Sequence, residues 1–236
     1  MAIAYDNSLG TQSGIGVTPF TFAYTTGGGS DRFMVIYTFP SQGGTVTSLT
    51  YNGVGATQLS TGTGTIGVGS YYIHYLVAPA TGANNITISG TNTGRYIVRV
   101  ATYTGVDQTS PINTSQSGSG TGNFTSTFAT TIDNCWKVMC AEEWQNGGTL
   151  VAGTNSTQRA GGIIGIFDTN GAITPAGSSA MSISVASGGD TYSYFNFAFK
   201  PLVPSAIKTI NGLAIASVKT VNGLAIASVK TWNGLA

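Results

Sequence analysis

Apolar and polar side chains alternate with a period of two along this 236-residue chain, and no window of a dozen residues carries a helical stripe. Successive strand residues point to opposite faces, so Ile86-Thr87-Ile88 and Met181-Ser182-Ile183-Ser184-Val185 each set their apolar members on one side. Phe33, Val35, Tyr37 and Phe39 share a face, as do Phe195, Phe197 and Phe199. Tyr96, Val98 and Val100 stand opposite Arg95 and Arg99. Further strands are expected near 15–24, 45–51, 70–77, 122–130, 134–142 and 162–168. Asn52-Gly53, Asn146-Gly147 and Asn170-Gly171 supply turn signals between them. Many short strands at this spacing predict an all-β sandwich or barrel.

The polar positions are filled by Thr, Ser, Asn and Gly rather than by charge. Only 7% of residues are charged, against about 25% in ordinary globular proteins. With 41% apolar residues and a net charge of +1 the chain has the means to fold. That net charge gives no electrostatic basis for a nucleic-acid or anionic-membrane partner. A near-neutral surface favours association instead. Cys135 and Cys140, the only cysteines, lie five apart in one expected strand and so face opposite ways, which excludes a bridge between them. No secretory leader opens the sequence, and no run of about 18 apolar residues is present to span a bilayer. A virion component released by lysis suits such a chain.

Composition changes after Lys200. Pro201 and Pro204 mark a linker over 201–206, and three copies of an 11-residue repeat follow over 207–236: IKTINGLAIAS, VKTVNGLAIAS and VKTWNGLA. The charge shifts too: residues 1–200 are net −2, whereas 201–236 carry Lys208, Lys219 and Lys230 with no acid. An Asn-Gly in every unit, amid Ile, Val and Thr, speaks against a helix and for β-hairpins. Two-residue turns at Asn211-Gly212 and Asn222-Gly223 give a ribbon whose two faces are both largely apolar. Such a ribbon is marginal alone and invites pairing with another strand.

Four segments, VTSLTYNGVGATQL (46–59), YYIHYLVAPATGANNITIS (71–89), YTGVDQTSPI (103–112) and FNFAFKP (195–201), occur in an order that resembles a jelly-roll-like domain of bacterial surface proteins and phage virion or fibre proteins. The tail is similar to the K-T-x-N-G-L-A repeats that end many phage-type structural proteins. The resemblance implies one jelly-roll-like β-sandwich over 1–200 and an extracellular appendage or virion as its setting. It supplies no catalytic residues.

Residue constellations that could carry chemistry are sparse. His74 is the lone histidine and reads as a satisfied strand residue. Glu142 and Glu143 are adjacent, so a strand sends them to opposite faces; a glycosidase pair would need a partner such as Asp31, Asp133 or Asp168. Gly62-Thr63-Gly64-Thr65-Ile66-Gly67 matches a dinucleotide-binding pattern but precedes no helix. Asp6, Asn7 and Asp190, near the two ends of the sandwich, are candidate oxygens for a structural calcium of the kind the jelly-roll resemblance implies, and are only a few of the six to eight such an ion takes. The sequons at Asn85, Asn113, Asn123 and Asn155 are at chance frequency in so Thr- and Ser-rich a chain. Tyr71, Tyr72, Tyr75, Trp136 and Trp144 read as core before they read as a sugar platform.

The expectation is therefore a non-enzymatic structural subunit without cofactor or metal, which joins copies of itself into an open helical or fibrous polymer. Its interface would be the tail face formed by Ile207, Ile210, Leu213, Ile215, Val218, Val221, Leu224, Ile226, Val229, Trp232 and Leu235, docked on a neighbouring sandwich. The alternative is a glycan-binding module whose tail packs on its own domain.

Overall fold

The computed structural model describes residues 2–64, 69–91, 94–143, 148–185, 189 and 191–203, together with 209–210, 213–214, 220–221 and 224–225. Two compact units result, Met1–Leu202 and Val203–Ala236. Among the described residues of the first unit there is no helix. The expected all-β antiparallel sandwich class is what forms, but the span holds two sandwiches where the sequence reading expected one.

The first half supplies β1 (Ala4–Gln12), β2 (Phe20–Thr26), β3 (Phe33–Pro40), β4 (Ser48–Tyr51), β5 (Val54–Gly55), β6 (Thr57–Thr63), β7 (Ser70–Val77), β8 (Gly82–Ser89) and β9 (Tyr96–Thr104). The second supplies β10 (Ile112–Thr121), β11 (Phe124–Ala129), β12 (Trp136–Glu143), β13 (Leu150–Ala152), β14 (Thr157–Ala160), β15 (Ile164–Asp168), β16 (Ser178–Val185) and β17 (Thr191–Phe199). In the first half an inner sheet runs β1-β9-β3-β7-β6 and an outer sheet β2-β8-β4-β5. The second repeats this as β10-β17-β12-β15-β14 and β11-β16-β13. First strand beside last, and second beside penultimate, is the jelly-roll order.

The repetition extends to register. Phe33 faces Tyr103 and Pro40 faces Tyr96 across β3–β9; Trp136 faces Phe199 and Glu143 faces Tyr192 across β12–β17. β1 slips by a residue between Tyr5 and Asn7, and β10 does so at the equivalent place, between Ile112 and Thr114. β6 and β14 slip at Gln58/Ser60 and Gln158/Ala160, each within a Thr-Gln-x sequence. On the outer faces the Thr21 and Thr87 hydroxyls lie 3.0 Å apart, and those of Thr125 and Ser182, at the matching positions, 2.9 Å apart. These shared irregularities identify an internal duplication. Among the described residues the one added element is β5, a short hairpin partner of β4 that the route from Ala152 to Thr157 does not repeat.

Four layers follow. Between the first pair of sheets lie Met34, Ile36, Tyr51, Ile86, Ile88, Val98 and Val100. Between the second pair lie Phe124, Met139, Phe167, Met181, Ile183 and Val185. The two inner sheets then bury their other faces against each other: Phe33, Val35, Tyr37, Phe39, Ile73 and Tyr103 meet Trp136, Val138, Cys140, Ile166, Phe197 and Phe199. β3 and β12 are consequently buried at every position, as sheets covered on both sides require. Tyr103 joins the layers twice, by its ring against Phe199, 4.9 Å between centroids, and by its hydroxyl, which donates to Asp168 Oδ2 at 3.0 Å.

Residues 105–111 carry the chain from one sandwich to the other. Asp107 Oδ1 accepts from the Thr109 and Ser110 N–H groups, an Asx-type turn that holds its carboxyl below the usual range. The end of β17 returns to this crossover: Lys200 N donates to Pro111 O, Asp107 N to Lys200 O and Leu202 N to Gly105 O. The segments YTGVDQTSPI and FNFAFKP are thus hydrogen-bonded to each other.

Candidate assembly interface

Each inner sheet ends in polar strands, and the four edges are guarded unequally. β1 carries a bulge, and its Ser8 Oγ donates to Arg159 O of β14 at 2.6 Å. β14 is four residues long and bulged; β6 is bulged at Leu59. β10 is the longest of the four, with a bulge only at its start and no Lys, Arg, Asp, Glu or Pro. Its Ser115, Gln116, Ser117 and Ser119 are exposed. Gly118 and Gly120 lie under the Tyr194 and Tyr192 rings, where a Cβ would come within 2.3 Å of each phenolic oxygen. Such aromatic cover keeps a glycine-rich edge straight without adding charge. A long, regular, uncharged edge is a template for a further strand.

Four short strands of the tail are described: β18 (Thr209–Ile210), β19 (Leu213–Ala214), β20 (Thr220–Val221) and β21 (Leu224–Ala225). Ile210 faces Leu213 and Val221 faces Leu224, so each pair encloses two residues, the register that the Asn-Gly turns call for. Of the expected interface residues, Ile210, Leu213, Val221 and Leu224 lie in these strands. Ile207, Ile215, Val218, Ile226, Val229, Trp232 and Leu235 lie outside the described residues.

The other candidates disperse. Glu142 faces the seam between the inner sheets and accepts from Ser193 Oγ, while Glu143 faces the second sandwich's own core; both are fully buried. Asp168 sits opposite Val138, four residues along β12 from Glu142, or about 13 Å at strand rise, beyond a glycosidase pair. It accepts bidentately from Arg159, at 2.7 and 3.0 Å. Asp133 accepts from Ala176 N, and Asp31 sits in a loop at φ +53°. Among the described residues no group of three His, Cys, Asp or Glu gathers to hold a metal. Asp6 is spent on Gly27 N and Thr102 Oγ1, and Asn7 on Thr25 O; Asp190 lies outside the described residues.

His74 is buried in the first sandwich opposite Ile36, its Nδ1 without a partner, and burial pushes its pKa down to about 4. Tyr71 and Trp136 are buried, Tyr72 and Tyr75 half-buried, and Trp144 lies outside the described residues. Among the described residues the exposed large apolar side chains are Ile15, Val17, Val54, Ile132, Val151 and Val203, none aromatic. Asn85, Asn123 and Asn155 are exposed, whereas Asn113 binds Thr131 through both ends of its amide. Cys135 and Cys140 are free, buried and in different clusters.

Sequence reasoning missed two ionisable residues of consequence. Lys137 is wholly buried in the second sandwich, where Nζ donates to Ser179 O and Oγ and to Phe128 O and lies 4.2 Å over the Phe128 ring. Burial lowers its pKa to about 8. Arg99, on the face of β9 opposite Tyr96, Val98 and Val100, points into the seam, because that face is covered by the second inner sheet. No known protein family, curated protein or solved structure that was compared with the chain matches it.

Proposed function

We propose that this chain is a structural, non-catalytic subunit that builds an extracellular filament, fibre or virion by strand-type docking of its C-terminal repeats on a neighbouring copy. The observation that carries the reading is that one chain holds both a strand-forming repeat tail and an unguarded sheet edge. The tail holds three near-identical apolar repeat units, two of which carry a described pair of short strands. β10 offers a ten-residue edge that nothing charged protects. Main-chain hydrogen bonds of the added strand supply affinity, and the alternate apolar side chains of the repeat supply fit. A contact of unlike surfaces that does not close into a ring propagates as a helix.

The outer sheets favour the same reading. Their seven strands contain no Lys, Arg, Asp or Glu, so packed copies bring no like charges together. The core clusters of the sandwich unit draw on residues from Ile3 to Phe199, and a chain ending at Leu202 keeps all of them.

Negative-stain microscopy and sedimentation of the full chain and of a chain ending at Leu202 test the proposal. The full chain is expected to form polymers and the shortened one to stay monomeric. In the full chain Ser117→Pro, which removes an N–H from the β10 edge, is expected to shorten or abolish the polymers. A full chain that stays monomeric at high concentration sinks the reading.

A further inference from the structure

At one end of the seam, β1, β9 and the β14–β15 connection enclose a cleft of about 350 Å³. Arg99 forms its charged wall, with Gly10, Thr11 and Gln12 on one side and Gly161 and Ile163 on the other. The duplication makes this arginine conspicuous. Arg99 faces Tyr37 in the first inner sheet, and the matching residue of the second, facing Cys140, is Phe195 of the core. A position built for an apolar ring therefore holds a cation.

Its neighbours fix the guanidinium without neutralising it. Nε donates to Gly161 O at 2.9 Å and to Ile164 O at 3.1 Å, and Nη1 to Val98 O at 3.0 Å. Glycines line the group closely: a Cβ at Gly10 would lie 3.1 Å from Nη1, and one at Gly162, whose φ is +129°, 2.7 Å from Nη2. The five guanidinium donors exceed these three acceptors. Among the described residues the ion pair is Arg159–Asp168, and none joins a carboxylate to Arg99. Asp6, Asp107, Asp133 and Glu142 are engaged elsewhere. Half-burial of this unpaired charge lowers the arginine's own pKa, a cost that an anion in the cleft relieves.

We propose that this cleft binds a carboxylate-bearing ligand of monosaccharide size, a hexuronate unit. Arg99 presents its remaining N–H edge to the planar carboxylate, and Gln12, which shares the sheet face of Arg99, meets hydroxyl groups. A guanidinium edge matches a carboxylate in geometry as well as charge. Ile97 and Ile163 give the sugar ring an apolar wall, and the volume stands at the small end of ligand sites. This site is independent of the tail and of assembly.

Titration of the full chain with sodium galacturonate, its methyl ester, galactose and sodium sulfate, followed calorimetrically, tests the assignment. Galacturonate is expected to bind saturably with a Kd in the range of about 0.1–5 mM, and the neutral ester and galactose at least about tenfold more weakly. Arg99→Gln is expected to abolish the difference between acid and ester. Gln12 is exposed, so Gln12→Glu leaves the fold intact while setting a negative charge at the mouth, and it is expected to weaken galacturonate about tenfold. Three results overturn the proposal: no saturable uronate binding, equal binding of acid and ester, or Gln12→Glu binding like the wild type. Saturation by sulfate alone, with no uronate binding, overturns it as well.

Discussion

The two sandwiches share strand order, register and even bulges, yet they fill their interiors differently. At matching positions of the third strand the first sandwich has Met34 and Pro40 where the second has Lys137 and Glu143. On the neighbouring strand His74 stands where the copy has Phe167. Identity between the third strands is confined to Val35 and Val138. Topology is held by the pattern of buried and exposed faces and by where the ladder slips. Individual core residues change freely within that pattern: Lys137 finds acceptors in Ser179 and Phe128, whereas His74 leaves Nδ1 unpaired.

The largest effect is expected where the copies meet. Phe197 is fully buried in the seam, and its counterpart is Ala101. Phe197→Ala should cost about 3–5 kcal/mol in urea unfolding. The wild type should unfold in one transition, since the seam is core to both halves; two separated transitions would show that the sandwiches are independent.

His74→Phe imports the second copy's residue into the first. Between pH 6.5 and about 4 the unfolded chain takes a proton that buried His74 refuses, so wild-type stability falls as pH drops through that window. The loss is on the order of 2–3 kcal/mol, and the urea midpoint of His74→Phe should stay flat there relative to wild type. Lys137→Met is the reverse exchange. Lys137 has its folded pKa near 8 against an ordinary 10.5, so the wild type gains stability as pH rises from about 8, and the variant should lack that gain. Midpoint differences between the two proteins at pH 7.5 and 9 isolate it from the buried cysteines and tyrosines, whose raised pKa values act oppositely. Smallest of all, Thr21→Val and Thr125→Val should each cost about 0.2–1 kcal/mol and match one another, as equivalent hydroxyl pairs require.

Much of the fold is legible in the sequence. β3, β7, β9, β12, β16 and β17 announce themselves by apolar residues, and β7 spans Ser70–Val77 as expected. The edge strands β1, β6, β10 and β14 do not, because polar residues and glycine dominate them and their affinity for the sheet is mostly main-chain. The strand expected at 15–24 is Phe20–Thr26; Ile15 and Val17 extend the apolar pattern but are exposed. The duplication escapes a reading by repeats since its identities are so few, though FTFAYTT against FTSTFAT and ATQLS against STQRA hint at it. Arg99 escapes for a related reason. Alternation marks one buried face, and a sheet covered on both sides has no face left for solvent.

The seam has a quantitative consequence for a chain of this kind. Two jelly rolls joined face to face through aromatic rings have the anatomy of an obligate dimer, but the seven residues between β9 and β10 tether them covalently. Their stoichiometry is therefore fixed at one to one, and their union carries no concentration dependence. Dilution that would part separate protomers leaves this pair whole.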